Sequence, residues 1–192
     1  MTTTRFRTRP PVKQDAVVDY VRHLIVSGSI KPGDRLPTRA DLERRFQVSP
    51  VTMQRALDRL VADGFVTVAG NIGTFAAEFP PHLHRYALVF PERRDGARWS
   101  PFWRLLAAEA EARSRDLPVG IALYTGVEPG CDDAEVARLT DDLAAQRLSG
   151  VVFACDPWPL KGSPILDQPG VPRVAFAGLQ ANTAVPSVAL GG

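Results

Sequence analysis

Residues 50–62 carry polar side chains that could hydrogen bond to the edges of DNA bases. Thr52, Gln54 and Arg55 fall away from the apolar positions of this segment, and Arg59 follows one turn later. Gln and Arg make paired hydrogen bonds with adenine and guanine in the major groove. Because these residue types are also common on ordinary surface helices, the function depends on the elements that position them.

A helix is predicted to begin at Pro50. Ser49 is a favoured N-cap, because its hydroxyl can accept a backbone N–H, and proline at the first helical position loses no hydrogen bond. Apolar residues then recur at helical spacing and predict one buried face, formed by Met53, Ala56, Leu57, Leu60 and Val61. The pattern predicts a helix with a core on one side and polar groups on the other.

Another helix is predicted just before it. Thr38 can cap this helix, with Asp41 three positions later, and Leu42 and Phe46 are expected to face inward. Residues 47–49 leave room only for a short connection. This arrangement is typical of a helix-turn-helix.

A first helix and a hairpin complete the predicted N-terminal domain. Apolar residues recur at helical spacing between residues 17 and 25, and Gly28 can end that helix before a Lys-Pro-Gly-Asp turn. Downstream, the β-prone runs 65–68 and 72–75 flank Gly70-Asn71, which predicts a hairpin. Together these elements predict a winged helix-turn-helix, an α+β fold.

Short motifs between about Gln14 and Ala77 follow a characteristic order. They are Ile25–Gly28, Lys31–Pro37, Val48-Ser49, Thr52, Ala56-Leu57, Leu60, Asp63-Gly64 and Gly73–Phe75. In this order and spacing they resemble the DNA-binding domain of the GntR transcriptional regulators. The resemblance implies a homodimer that places one recognition helix in the major groove of each operator half-site, with the hairpin tip over the minor groove or the backbone. The candidate DNA-binding residues are Arg35, Arg39, Ser49, Pro50, Thr52, Gln54, Arg55, Gly73 and Thr74.

Some positions depart from that family's pattern. Ala40, Pro50 and Gln54 stand where the family has arginine, and Arg39 and Arg55 lie one residue away. A shift of one residue rotates a side chain by about 100° around a helix, so the displaced arginines cannot simply take over the same contacts. We therefore expect an operator sequence that differs from the family's usual one.

Charge and proline content divide the chain into two domains. Residues 1–79 carry 12 Lys/Arg and 8 Asp/Glu, a net charge of +4, whereas the remainder carries 11 and 13, a net charge of −2. A basic first half fits contacts with phosphates, and Arg5, Arg7 and Arg9 form either a groove-binding arm or a disordered tail. Pro80-Pro81 stiffens the connection. We predict a winged helix-turn-helix domain over residues 10–78, a linker over 79–85 and a second domain over 86–192.

The second domain alternates apolar strands with helices. Strands are predicted at 86–90, 119–124, 150–154 and 173–177, with a fifth beginning within 185–190, and helices at 101–116 and 132–148. Continuous apolar strands separated by helices predict an open parallel α/β sheet with right-handed crossovers.

Two segments of the second domain carry another resemblance. Ser100–Trp103 is similar to the start of the first helix, and Gln146–Val152 to the segment before the third strand, of the LacI-type, periplasmic-binding-protein-like effector domains. The resemblance implies the first lobe of such a domain without its second lobe. Either the chain is a fragment of a longer regulator, or its response to a ligand is reduced or lost.

Ligands of open parallel sheets bind beyond the carboxyl ends of the strands. The candidate effector-binding residues are therefore Arg98, Trp99, Ser100, Phe102, Asp156 and Trp158, with Gly178 after the fourth strand. Aromatic rings beside a carboxylate and a hydroxyl suit a sugar. In the alternative interpretation, Trp99, Phe102 and Trp103 only pack the start of a helix.

The remaining reactive residues predict no metal site and no cofactor. Cys131 and Cys155 lack metal-ligand spacing and are expected to be reduced. His82 and His84 are expected to be solvated linker residues rather than a metal-binding pair. No signal peptide or membrane span is predicted, so a cytoplasmic location is expected.

These features predict a sequence-specific transcriptional regulator, specifically a repressor that binds a double-stranded DNA operator as a homodimer and carries a domain derived from a sugar-binding effector domain. The alternative is a winged helix that binds proteins without reading DNA, and the polar, basic stripe favours DNA. An enzyme is not expected, because Lys161 is the one lysine after the linker and no nucleophile–base pair or phosphate-binding glycine loop is present.

Overall fold

The computed structural model describes residues 13–70, 72–176 and 185–188, and the chain divides into two compact units after Pro80. The N-terminal arginines, Asn71, Gly178 and the end of the predicted fifth strand lie outside the described residues. Each unit has a core of its own.

The first unit contains three helices: α1 (Lys13–Val26), α2 (Arg39–Phe46) and α3 (Pro50–Ala62). The predicted caps are confirmed, since the hydroxyls of Thr38 and Ser49 accept from the backbone N–H groups of Asp41 and Thr52. Gln47 adopts a left-handed conformation (φ 49°) that ends α2 and permits the tight turn into α3.

Side chains from all three helices share one core. Its fully buried members on α1 and α3 are Val17, Val18, Val21, Met53, Ala56 and Leu60. Val61, expected on the buried face, is instead 42% exposed. It follows Leu60 by one residue, and the corresponding rotation takes it off the narrow stripe that the other apolar residues fill.

The wing consists of β1 (Val66–Ala69) and β2 (Gly73–Ala76), paired antiparallel with Ala69 opposite Gly73. The predicted hairpin is confirmed, but Ile72 belongs to the turn rather than the returning strand. Its N–H donates to the Ala69 carbonyl at 2.8 Å, and its side chain is 68% exposed.

A third segment extends the wing sheet. The N–H of Leu36 donates to the Thr74 carbonyl and the N–H of Ala76 donates to the Asp34 carbonyl, while Arg35 pairs with Phe75 as an isolated bridge. The turn before this segment is closed by the Asp34 N–H, which donates to the Lys31 carbonyl. The segment between α1 and α2 is thereby fixed against β2.

The second unit is a parallel sheet. Its elements are α4 (Pro81–His84), β3 (Arg85–Val89), α5 (Pro101–Asp116), β4 (Gly120–Tyr124), α6 (Asp133–Ala144), β5 (Gly150–Phe153), α7 (Pro164–Asp167), β6 (Arg173–Phe176) and β7 (Ser187–Val188). The strand order is β4-β3-β5-β6-β7, and every pair is parallel, as predicted. α5 packs on one face of the sheet and α6 on the other.

Two boundaries differ from the predictions. The helix α6 ends at Ala144 instead of continuing to residue 148, because Gln146 adopts a positive φ of 54°. The segment predicted as a linker contains α4 and the first residue of β3. His82 is therefore half-buried on a helix rather than solvated, and burial lowers its pKa, with His84 adding to the effect.

Candidate nucleic-acid interface

The outward face of α3 is centred on Val51 and Arg55. Val51 is 62% exposed, and both Gln54 and Arg55 are exposed beside it. Arg55 forms no hydrogen bond or ion pair with the residues that the structure describes. Val51 is not among the predicted DNA-binding residues, although its place one turn before Arg55, outside the buried stripe, indicates the same face.

Gln54 connects α3 to α2 at this face. Its carbonyl Oε1 accepts from Arg39 Nη2 at 2.6 Å, and its amide Nε2 donates to Asp58 Oδ1 at 2.7 Å. Two predicted DNA-binding residues, Arg39 and Gln54, are thus brought together from different helices.

The start of α3 is held by local hydrogen bonds. Ser49 Oγ accepts from the Thr52 N–H at 3.2 Å and lies 3.0 Å from Thr52 Oγ1. Pro50 occupies the first turn. At the start of α2, hydrogen bonds from Thr38 and then from Arg44 lower the pKa of Asp41. Both helix starts are therefore capped by side chains and exposed to solvent.

Arg59 is directed to the helix α1 instead of the outward face. Its Nη1 lies 2.8 Å from Asp15 Oδ1, and its Nε lies 4.0 Å from Asp63 Oδ2. The sequence pattern had placed Arg59 near Thr52 and Arg55. Its partner Asp15 is distant along the chain, so local spacing could not reveal the pairing.

Arg35 lies against Gly73 in the wing. Gly73 has a φ of +143°, and a Cβ atom built on it would lie 2.9 Å from Arg35 Nε. Two further predicted site residues from separate segments are therefore neighbours, while Thr74 follows on β2 with its carbonyl engaged by Leu36. The backbone conformation and the neighbouring guanidinium both favour glycine at position 73, independently of any contact with DNA.

A cavity of about 190 Å³ opens in the second unit at the carboxyl ends of β3 and β5. The strand order reverses between these two strands, which is where open α/β sheets form a ligand crevice. Arg98 and Asp156 line the cavity, with Glu128 and Cys155 beside them. Of the candidate effector-binding residues, the structure brings Arg98 and Asp156 together at this cavity.

The other candidate effector residues do not line this cavity. Trp99 packs against Phe90, with ring centroids 4.8 Å apart, and against Trp103 at 5.9 Å. Ser100 caps α5 by accepting from the Trp103 N–H at 3.1 Å. Phe102 and Trp158 are largely exposed outside the cavity wall. For Trp99 and Trp103, the structure shows the packing role that was the alternative interpretation.

The cavity wall is mostly apolar, and its charged residues are Arg98, Glu128 and Asp156. Arg98 is held by Glu92 at 2.6 Å and by Glu128 at 2.9 Å, and these contacts raise the pKa of the guanidinium. Burial, followed by the charges of Asp156 and Glu128, raises the pKa of the Cys155 thiol to about 11. Cys155 is therefore a protonated, weakly reactive thiol at neutral pH.

Within the described ranges, no cluster of His, Cys, Asp or Glu could hold a metal ion. None of the helices there combines the length and apolar character needed to cross a bilayer.

The family of bacterial regulatory proteins described as the gntR family matches this sequence over residues 13–76. This range covers α1, the helix-turn-helix and the wing. The first unit is a gntR-family DNA-binding domain.

Relatives of this GntR domain are transcriptional regulators. The mannosyl-D-glycerate transport/metabolism system repressor MngR of Escherichia coli is 39% identical over 62 residues, which are 32% of this chain and 26% of MngR. The histidine utilization repressor of Klebsiella aerogenes is 35% identical over 72 residues, 38% of this chain and 30% of that repressor. The chain thus spans less than a third of the length of either relative.

Among solved structures, the AraR DNA-binding domain in complex with operator ORR3 is 32% identical. The match covers 34% of this chain and 78% of that chain, with a TM-score of 0.33.

In this GntR domain, Arg39 occupies the place next to Ala40, where the family pattern has arginine. Its guanidinium donates a hydrogen bond to Gln54 on α3.

Proposed function

We propose that this chain is an operator-binding transcriptional repressor that acts as a homodimer and inserts α3 of each copy into a major groove. The observation that carries the proposal is the exposed face of α3, where Gln54 and Arg55 stand opposite the buried face and Arg55 has no partner among the described residues. A guanidinium and an amide are the groups that best distinguish base edges in that groove.

The surrounding groups suit contacts with the DNA backbone. Ser49, Pro50 and Thr52 form the N-terminal end of α3, where the helix dipole and backbone N–H groups attract phosphate. Arg35, Gly73 and Thr74 form a second group at the wing. We assign these residues to phosphate positioning and Gln54, Arg55 and the Arg39–Gln54 pair to base recognition.

Repression is proposed because the relatives MngR and the histidine utilization protein are named repressors. A homodimer is proposed because a single recognition helix covers only a few base pairs, and two-fold symmetric proteins read inverted half-sites.

For the second unit, we propose a sensory function derived from a small-molecule effector domain of the LacI, periplasmic-binding-protein-like type. The cavity at the strand-order reversal supports this proposal, because Arg98 and Asp156 place hydrogen-bonding groups beside apolar walls. A small polar ligand such as a sugar would fit this combination.

DNA selection tests the proposal. The full chain is incubated with a pool of random duplexes, and bound sequences are enriched and read. We expect an inverted repeat. Arg55→Ala should relax the preference at one or two positions of each half-site, whereas Arg104→Ala, which removes one exposed positive charge from the second unit, should not. Enrichment of no sequence by the wild-type chain would favour the alternative, a winged helix that binds proteins.

A further inference from the structure

Gln54 lies between two side chains of opposite charge. Arg39, at the start of α2, donates to its carbonyl at 2.6 Å, and Asp58, one turn later on α3, accepts from its amide at 2.7 Å. All three side chains are exposed on the face of the domain that carries Arg55.

The two neighbours determine which way the amide points. A guanidinium has only donors and a carboxylate has only acceptors. If the Gln54 amide rotated by 180°, its NH₂ group would face Arg39 and its oxygen would face Asp58, and both hydrogen bonds would be lost. The chemistry of the two neighbours therefore permits one orientation.

The fixed amide retains capacity for one base. Its oxygen has a second lone pair and its nitrogen has a second hydrogen. The major-groove edge of adenine offers a donor at N6 and an acceptor at N7, whereas guanine offers acceptors at both O6 and N7. A freely rotating amide could turn its NH₂ group toward either guanine acceptor. A fixed amide instead presents its oxygen to one of these acceptors, and two acceptors form no hydrogen bond.

We propose that Arg39 and Asp58 are positioning residues that hold the Gln54 amide in one orientation and thereby sharpen its selection of adenine. This inference rests on the proposed base recognition by Gln54. It also gives Asp58 a function at a surface where a carboxylate otherwise weakens the attraction to phosphate.

The test uses the full chain and the operator obtained by selection, together with duplexes carrying each single-base replacement. Dissociation constants are measured for the wild type, Gln54→Ala, Asp58→Ala and Asp58→Glu. Glu78→Ala is the control. Glu78 is an exposed carboxylate that lies against Gly33, so its replacement removes the same charge as Asp58→Ala at a different place. Alanine favours helices, and circular dichroism checks that each variant is folded.

We expect Gln54→Ala to erase an adenine preference of about 5- to 150-fold at one position of each half-site, the range for a bidentate contact. Asp58→Ala should weaken the preference at that same position and leave the other positions unchanged. Asp58→Glu, which keeps an acceptor, should retain more of the preference than Asp58→Ala, and Glu78→Ala should retain all of it.

Base recognition by Gln54 and the positioning of its amide by Asp58 can fail separately. If Gln54→Ala erases the preference but Asp58→Ala preserves it in full, the positioning function is wrong and base recognition stands. If Gln54→Ala changes no preference, Gln54 does not read a base, and both the assignment and this inference are wrong.

Discussion

Arg55 and Arg59 lie one helical turn apart on α3, yet their guanidinium groups have different surroundings. Arg59 is paired with Asp15 and Asp63, whereas Arg55 projects into solvent without a partner in the described part of the chain. A guanidinium already paired within the protein must give up that interaction before it can bind DNA. The two arginines are therefore expected to serve recognition and folding, respectively.

Replacing each arginine separates these functions. We expect Arg55→Ala to cost about 1–3 kcal/mol of binding free energy on the selected operator and to relax the preference at one or two base pairs. Arg59→Ala should leave base preference unchanged and lower the free energy of unfolding by less than about 1 kcal/mol, since its ion pairs are partly exposed. Binding titrations and thermal melts measure the two effects. Equal losses of affinity for Arg55→Ala on all sequences would assign Arg55 to phosphate.

Sequence patterns identified single residues well when their partners were local. The caps at Thr38 and Ser49 and the buried face of α3 follow from spacings of three and four residues. The pairs Arg59–Asp15, Arg39–Gln54 and Arg35–Gly73 bring together residues far apart in the chain, and no local period encodes them. Those long-range contacts decide which polar groups remain available.

At the scale of elements, the wing depends on a segment that sequence analysis described only as a turn. Residues 33–36 pair with β2 and bring Arg35 against Gly73. A larger residue at Gly73 would obstruct the approach of DNA to the proposed wing interface. The structure makes that substitution ambiguous, since the site also requires glycine for its own backbone.

We expect Gly73→Ala to destabilise the first unit. A φ of +143° is unfavourable for any residue with a Cβ, and the new atom would lie 2.9 Å from Arg35 Nε. Strain of this kind costs about 1–3 kcal/mol. Chemical denaturation measures the change, with Gly28→Ala as a comparison, because Gly28 also has a positive φ but open space around it. Unchanged stability would mean that the wing relaxes freely at this position.

Arg35→Gln is the cleaner test of the wing. It keeps a long polar side chain and removes the charge beside Gly73. If Arg35 binds phosphate, affinity should fall about equally on all DNA sequences, and the slope of log affinity against log salt should become shallower by about one for each copy bound. A loss confined to one base pair would instead show that Arg35 reads sequence.

The reactivity of Cys155, in the cavity wall, is expected to depend on pH. A pKa of about 11 leaves the Cys155 thiol protonated at pH 8, so alkylation by iodoacetamide should be slow in the folded protein and rise as the pH approaches 11. Asp156→Asn removes a neighbouring negative charge and should lower the pKa and speed the reaction. Peptide mass spectrometry follows the modification. Alkylation of Cys155 at the rate of a free cysteine would contradict its half-buried position near the carboxylates of Asp156 and Glu128.

At the scale of the whole molecule, the chain consists of two units whose apolar residues follow different sequence patterns. The helical and strand periods, together with Pro80-Pro81, predict both architectures and the parallel sheet. The order β4-β3-β5-β6-β7, and therefore the position of the cavity, depends on which strands pair across long intervals. Sequence position after a strand was therefore enough to propose residues for the cavity but not to separate those that line it from those that do not. Arg98 and Asp156 line the cavity, whereas Trp99 packs against Phe90 and Ser100 caps α5.

The central claim is that α3 reads base edges in the major groove. Methylation interference tests it most directly, because dimethyl sulfate modifies guanine N7, an acceptor on the major-groove edge. On the selected operator, we expect N7 methylation at a guanine within each half-site to abolish binding of the wild-type chain, and Arg55→Ala to bind methylated and unmethylated operator equally. Wild-type binding that is unaffected by N7 methylation at every guanine of the operator would contradict major-groove recognition by Arg55.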